Sequence, residues 1–360
     1  MIRSSARAWL SPLLCSIALL LLFAVVVDAS VGDRLPDFRE CVEVRVMPSS
    51  ATPRDTSSLI AGLQAGELPE FQPDTDSRDS MLTSSSLTAL HRRLLFWTCS
   101  SECDYTCQHI ITNRRVDRSL PIVQFHGKWP FHRLLGMQEP ASVLFSLGNL
   151  VAHRDGLRKL RAAIPTAYPL HPFYVVLAQV GIASWVFSAV FHTRDSTATE
   201  QLDYFAAGAS VLYGLYYTVV RIFRLYRATP RRRSVLRAWS LLCALLYAAH
   251  VAYLKGVAWD YTYNMAANVV VGMVQNALWV WYSYSKYRET KRAWAVWPGL
   301  VVASVITVMS LELFDFAPVW GALDAHSLWH LGTIAPTVLW YNFLIKDAQD
   351  DMAGTERLKG

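Results

Sequence analysis

The sequence predicts an all-α membrane protein: a seven-transmembrane-helix bundle preceded by a small, disulfide-stabilised lumenal N-terminal domain. Three observations carry that expectation. Of the 360 residues, 53% are hydrophobic and 17% charged, whereas soluble domains carry about 25% charge, and the apolar excess lies in long blocks. Fifteen Lys and Arg residues fall in alternate connections between those blocks. Four cysteines lie in polar sequence ahead of the blocks. The formal net charge of +6 is read from its position as a topology signal, so no nucleic-acid partner is expected.

Residues 1–29 read as a signal peptide. Arg3 and Arg7 begin it, an apolar run from Trp9 to Val27 follows with Pro12 inside it, and Val27-Asp28-Ala29 offers a cleavage site. An uncleaved anchor is the alternative. Residues 30–138 read as a lumenal domain, interrupted at about 48–89 by a Ser-, Thr-, Asp- and Pro-rich stretch expected to be a disordered insertion. Cys41, Cys99, Cys103 and Cys107 in an oxidising lumen suggest two disulfides, with all three pairings open. The C-x3-C-x3-C spacing of the last three is not that of a zinc finger. The aromatic and basic stretch Gln124–Phe131 suits a bilayer interface.

Seven apolar segments follow, at about 140–153, 172–191, 203–223, 236–254, 264–284, 294–314 and 326–345. Residues 139–346 are thus expected to form the bundle and 347–360 a cytoplasmic tail. Arg154, Arg158, Lys159 and Arg161 follow the first segment. Arg221, Arg224, Arg227, Arg231, Arg232, Arg233 and Arg237 follow the third, and Lys286, Arg288, Lys291 and Arg292 the fifth. The opposite connections hold Arg194 and Lys255 only. The positive-inside rule places the basic side in the cytoplasm and the N-terminal domain in the lumen.

Ionisable residues within membrane helices are costly and mark candidate sites. The second segment ends with Ser188 and His192 four residues apart, the third opens on Asp203, and the seventh opens on His326 and His330, again four apart. A four-residue spacing places side chains one turn apart on one helical face. The topology puts all five at the lumenal ends of their helices. Three neutral imidazoles with an open fourth position describe a catalytic zinc site, so one Zn2+ held by His192, His326 and His330 is expected. Asp203 is then a candidate general base or ligand-orienting group, and Ser188 a candidate oxyanion or water partner, or a nucleophile. The alternative is that these histidines only cap or bridge helices. His250 reads as a core histidine and His153 as cytoplasmic. Asp260, Glu312, Asp315 and Asp324 read as an acidic rim that orients helix ends.

Several strings resemble a known family. They are Gly32-Asp33-Arg34, Trp97-Thr98-Cys99, Cys103-x-Tyr105-x-Cys107, Gln124-Phe125-His126-Gly127-Lys128-Trp129-Pro130-Phe131 and Gln138-Glu139-Pro140-Ala141-Ser142. Further on come Phe191-His192-Thr193-Arg194-Asp195, Asp203-Tyr204-Phe205, Asp260-Tyr261-x-Tyr263-Asn264 and Leu323-Asp324-Ala325-His326-x3-His330. The chain resembles the post-GPI-attachment lipid-remodelling factors, within the CREST superfamily of seven-helix membrane hydrolases that includes the alkaline ceramidases. The superfamily pattern carries onto Ser188, His192, Asp203, His326 and His330. The resemblance implies zinc and phospholipase A2-type removal of an acyl chain from the lipid moiety of GPI-anchored proteins. It implies as partners GPI-anchored proteins and membrane lipids, in the endoplasmic reticulum membrane or, alternatively, the Golgi. A ceramidase-like amidase and a non-catalytic seven-helix adaptor for GPI-protein export are the rival expectations. One departure stands out: relatives carry a further cysteine near position 45, where this chain has Arg45, which implies that one lumenal disulfide is absent.

Overall fold

The computed structural model describes residues 30–46, 93–312 and 314–357. The expected signal peptide and serine-rich insertion lie outside the described residues. Within them the regular structure is helical, and strand pairing is limited to two isolated bridges. The helices are α1 (Pro36–Val46), α2 (Cys99–Asp117), α3 (Pro140–Ala163), α4 (His171–Thr193) and α5 (Thr197–Ile222). They continue with α6 (Pro230–Gly256), α7 (Tyr261–Thr290), α8 (Trp297–Glu312) and α9 (Ala325–Arg357). The described residues fall into two compact units, one of 30–138 with 317–322 and the other of 139–316 with 323–357.

The first unit is a two-helix module closed by a disulfide between Cys41 of α1 and Cys107 of α2. Phe38, Ile111 and Phe125 pack with Cys107 as its small core. Such a core is too small to stand without a covalent staple. Two disulfides were expected, and Cys41–Cys107 is the one found among the described residues. The packing of α1 on α2 brings the Cα atoms of this pair to 5.9 Å, within the reach of a disulfide. Thr98 starts α2 through a capping box with Ser101. The string around His126 makes a two-residue turn, with φ of 50° at His126 and 77° at Gly127, closed by hydrogen bonds between Phe125 and Lys128. Asp33 accepts the His126 backbone N–H at 2.9 Å, and the ring Nε2 lies 2.9 Å from Asp104 Oδ1. The hydrogen bond to Asp104 lifts the imidazole above its ordinary pKa of 6.5. The unit also includes 317–322: His132 donates its N–H to the Gly321 carbonyl at 2.8 Å. Gly321 has φ of 67°, and a Cβ there would lie 2.1 Å from His132 Cδ2, so only glycine fits.

The second unit contains α3–α9. Four of its helical segments, α4, α5, α6 and residues 293–311, are long and apolar enough to cross a membrane, as a multi-pass membrane protein requires. Local chemistry sets the ends. Pro140 and Pro230 occupy first-turn positions of α3 and α6, where a missing N–H costs nothing. Ser196 and Thr199 form a capping box on α5, and Asp260 caps α7 through the Tyr263 N–H. Asp324 accepts from the Ser327 N–H at 2.9 Å at the start of α9. Lys291 closes α7 in the left-handed conformation.

The helices match the seven expected segments in order, and two run well beyond them. α3 extends to Ala163 rather than 153, and α9 to Arg357 rather than 345. Hydropathy measures where apolar residues stop, whereas Arg, Lys and Gln continue a helix readily. Hence 347–357, expected as a tail, continue α9. Asp347 is fully buried there and takes a bidentate pair from Arg221 of α5, Nε to Oδ2 at 2.6 Å and Nη2 to Oδ1 at 2.8 Å. Tyr174, Tyr217, Trp279, Tyr341 and Phe343 form an aromatic core beside this pair. α3 packs against both α4 and α9, α8 against α9, and α5 against α4 and α7. That arrangement brings the C-terminal end of α4 to the N-terminal end of α9.

Candidate metal centre

His192 is the penultimate residue of α4, and His326 and His330 sit in the first two turns of α9. The three rings meet. Their candidate ligand nitrogens all lie within 4.8 Å of one another, close enough to hold one metal ion. His192 Nε2 and His326 Nε2 are 3.3 Å apart. Ring centroids are separated by 5.1 Å for His192–His326, 5.0 Å for His192–His330 and 4.6 Å for His326–His330. His192 and His330 are buried and His326 is half-buried, leaving one side of the trio open. The indole of Trp185 packs edge-on against His330.

Each buried ring is held by its other nitrogen. His192 Nδ1 is 2.7 Å from Glu139 Oε2, and a carboxylate can only accept, so this nitrogen carries the proton. His330 Nδ1 lies 3.0 Å from Ser146 Oγ and 3.3 Å from the Ser142 carbonyl oxygen. A carbonyl also only accepts, which places the proton on Nδ1 here too. In both rings the Nε2 lone pair is left for the shared site. Ligating histidines in metal sites are oriented in this manner.

The α3 helix thus supplies no ring to the trio and orients two of its members. Glu139, Ser142, Ser146 and Asn149 are all buried, and their spacing of three, four and three residues puts them on one helical face. Asn149 donates Nδ2 to the His330 carbonyl at 2.7 Å, and Thr333 donates to Asn149 Oδ1 at 3.2 Å. Reading for metal ligands passes over this stripe, because none of its residues forms an H-x3-H pattern. The signal is nevertheless present, as four polar residues at heptad-like spacing in a run that is otherwise mainly apolar.

The other candidate residues are placed as follows. Ser188 is buried one turn before His192, as its spacing predicts, and its Oγ lies 3.1 Å from Ser146 Oγ. It therefore reaches His330 through Ser146. Asp203 is half-buried in the second turn of α5. Its neighbour Tyr204 meets Phe191 edge-on at 6.1 Å, and Phe191 abuts His192. His250 packs within the helices with Nδ1 at 3.4 Å from the Tyr263 hydroxyl. His153 lies 2.7 Å from the Tyr341 hydroxyl and outside the trio. Asp260 and Asp324 cap helices, in keeping with a rim that orients helix ends. The Glu312 side chain lies outside the described residues.

Fold and centre together define a helical multi-pass membrane protein with a three-histidine site able to hold a metal ion. The chain belongs to the Per1-like family, whose profile matches residues 89–348. It is 41% identical over 278 residues to "Protein PER1 homolog" of Schizosaccharomyces pombe, covering 77% of this chain and 83% of that one. It is 35% identical over 330 residues to "GPI-specific phospholipase A2-like PGAP3" of Xenopus laevis, covering 92% and 94%. It is 34% identical over 367 residues to "Protein PER1" of Saccharomyces cerevisiae, covering 93% and 97%.

Proposed function

We propose that this protein is a zinc-dependent acyl-ester hydrolase of the phospholipase A2 type, which removes a fatty acyl chain from the lipid of GPI-anchored proteins. The carrying observation is the convergence of three imidazoles, two with their Nε2 lone pairs turned inward by partners on the far nitrogen. The separation fits zinc. Two donors on a tetrahedral ion with bonds of about 2.05 Å stand about 3.3 Å apart, the spacing of His192 and His326. Neutral nitrogen donors of intermediate softness suit zinc better than calcium or magnesium, which take oxygen. A zinc ion held there would lower the pKa of its water to about 7 and polarise an ester carbonyl. The printed names of the relatives favour an ester of GPI lipid over the amide of a ceramide.

The chain's own residues then divide the work. His192, His326 and His330 would hold the ion. Asp203 takes the proton of the attacking water on its carboxylate and returns it to the alcohol that leaves, so that water and ester give acid and alcohol. Ser188, on the wall beside His330, donates its hydroxyl to the charge that develops on the carbonyl oxygen. The seven helices α3–α9 span the bilayer, with their basic ends in the cytoplasm. His192, His326 and His330 lie at the opposite ends, in the lumenal leaflet of the endoplasmic reticulum or Golgi membrane. GPI-anchored proteins occupy that leaflet.

Mass spectrometry of GPI anchors tests the assignment. Cells lacking the protein should accumulate anchors that keep the acyl chain. The wild type should restore remodelling, and Asp203→Asn, expressed to the same level, should leave it at least 100-fold slower. Normal remodelling by the Asp203→Asn protein would remove the general base from the scheme.

A further inference from the structure

We propose that Glu139 is the positioning residue of the three-histidine centre: its carboxylate fixes the tautomer and orientation of His192 and so aims that ring's Nε2 at the shared ion. The inference rests on the reading that the trio holds zinc. Glu139 is 4% exposed, although it lies at the N-cap position of α3, where helix ends ordinarily meet solvent. The usual task of a polar side chain at that position is to accept backbone N–H groups of the first turn. The Glu139 side chain makes no such bond, and its carboxylate turns to His192 Nδ1 at 2.7 Å.

The backbone completes the grip. The Glu139 N–H donates to the His192 carbonyl oxygen at 3.0 Å. One residue thus fixes His192 at two points, at the backbone and at the ring. The backbone bond sets where the ring begins, and the carboxylate sets how it is rotated. With Nδ1–H committed to an acceptor, Nε2 is left as a lone pair pointing toward His326 Nε2. A buried carboxylate is expensive unless opposite charge is near. A divalent cation one imidazole away supplies such charge, and the carboxylate raises the basicity of the ligand between them. His330 is held differently, by a hydroxyl and a carbonyl, so Glu139 is the charged group among the orienting partners shown for the two buried rings.

The test is zinc affinity, measured by competition with a chelator on the purified full chain in detergent, for wild type and Glu139→Gln. Gln keeps the size and the backbone bond but lacks the charge. The expected result is a Kd for zinc raised 10- to 100-fold, while the metal-free proteins melt at the same temperature. A merely structural role would lower the metal-free melting temperature and leave Kd within twofold, and that outcome overturns the proposal. If Glu139→Gln yields no folded protein, Glu139→Asp serves. It keeps the charge and the backbone bond but withdraws the carboxylate by one methylene, and the same rise in Kd is expected. A wild-type chain that takes up no zinc would overturn the zinc reading itself, whereas zinc bound equally well by wild type and variant sinks the positioning role alone.

Discussion

Replacing Asp347 by Asn is expected to be among the most damaging single changes away from the metal centre. The Asp347 side chain is fully buried and that of Arg221 only 4% exposed. The two are joined by two hydrogen bonds of 2.6 and 2.8 Å, and Tyr282 donates its hydroxyl to Asp347 as well. Two unit charges about 4 Å apart attract by roughly 4 kcal/mol at an effective dielectric constant of about 20, and taking each out of water costs several kcal/mol. The intact pair therefore comes close to break-even. Removing the carboxylate charge removes the attraction and leaves the guanidinium buried, a loss of about 3–5 kcal/mol. That corresponds to roughly a 150- to 5,000-fold shift in the folding equilibrium. Removing both charges, as Arg221→Met with Asp347→Leu, is expected to recover most of the loss, since an apolar pair of similar volume carries no unpaired charge. Unfolding equilibria in detergent micelles of Asp347→Asn, and of the wild type, Arg221→Met, Asp347→Leu and their double variant arranged as a double-mutant cycle, measure this. Losses that simply add in the double variant, or a cost below about 1 kcal/mol for Asp347→Asn, would refute the assignment of a buried, mutually dependent pair.

Two further predictions concern packing and pH. A Cβ at Gly156 would lie 2.2 Å from Cδ2 of the buried Tyr341 ring, which also bonds His153, whereas one at Gly148 would meet only the terminal Cδ1 of Ile334 at 2.7 Å. Gly156→Ala should therefore cost about 1–3 kcal/mol and Gly148→Ala far less, as read by melting temperature in detergent. In the N-terminal unit, Asp104 holds His126 above its ordinary pKa of 6.5. The stabilisation is then fully present below about 6.5 and lost as pH rises through the raised folded value. Hydrogen-exchange protection of the His126 amide should fall as pH rises above about 6.5 in the wild type, and Asp104→Asn should weaken the dependence.

The sequence makes some parts of this architecture legible and hides others for definite reasons. The helices of the bundle are readable because the apolar blocks stand apart from the charged connections, and capping residues such as Ser196 and Asp260 mark where helices begin. His326 and His330 announce themselves by spacing, since four residues along a helix is a single turn. Their meeting with His192 is not a local property. It depends on α3 packing against both α4 and α9, which no spacing encodes. The stripe from Glu139 to Asn149 is hidden for the same reason: its partners lie 42 to 188 residues away in the chain. The far end of α9 is misread because Asp347 is charged and looks like tail. Its pairing with Arg221 becomes visible only when the fold brings the C-terminal end of α5 within reach of α9. The pairing of Cys41 with Cys107 follows from α1 facing α2, which a count of cysteines leaves open.

α9 carries His330 near one end and Asp347 near the other. At a rise of 1.5 Å per residue the two stand about 25 Å apart. The helix behaves like a bolt with a nut at each end: neither polar centre can slide along the axis without dragging the other out of its seat. The position along the helix axis at which His326 and His330 present their rings is therefore set in part from the far end of α9, by an arginine that never approaches them.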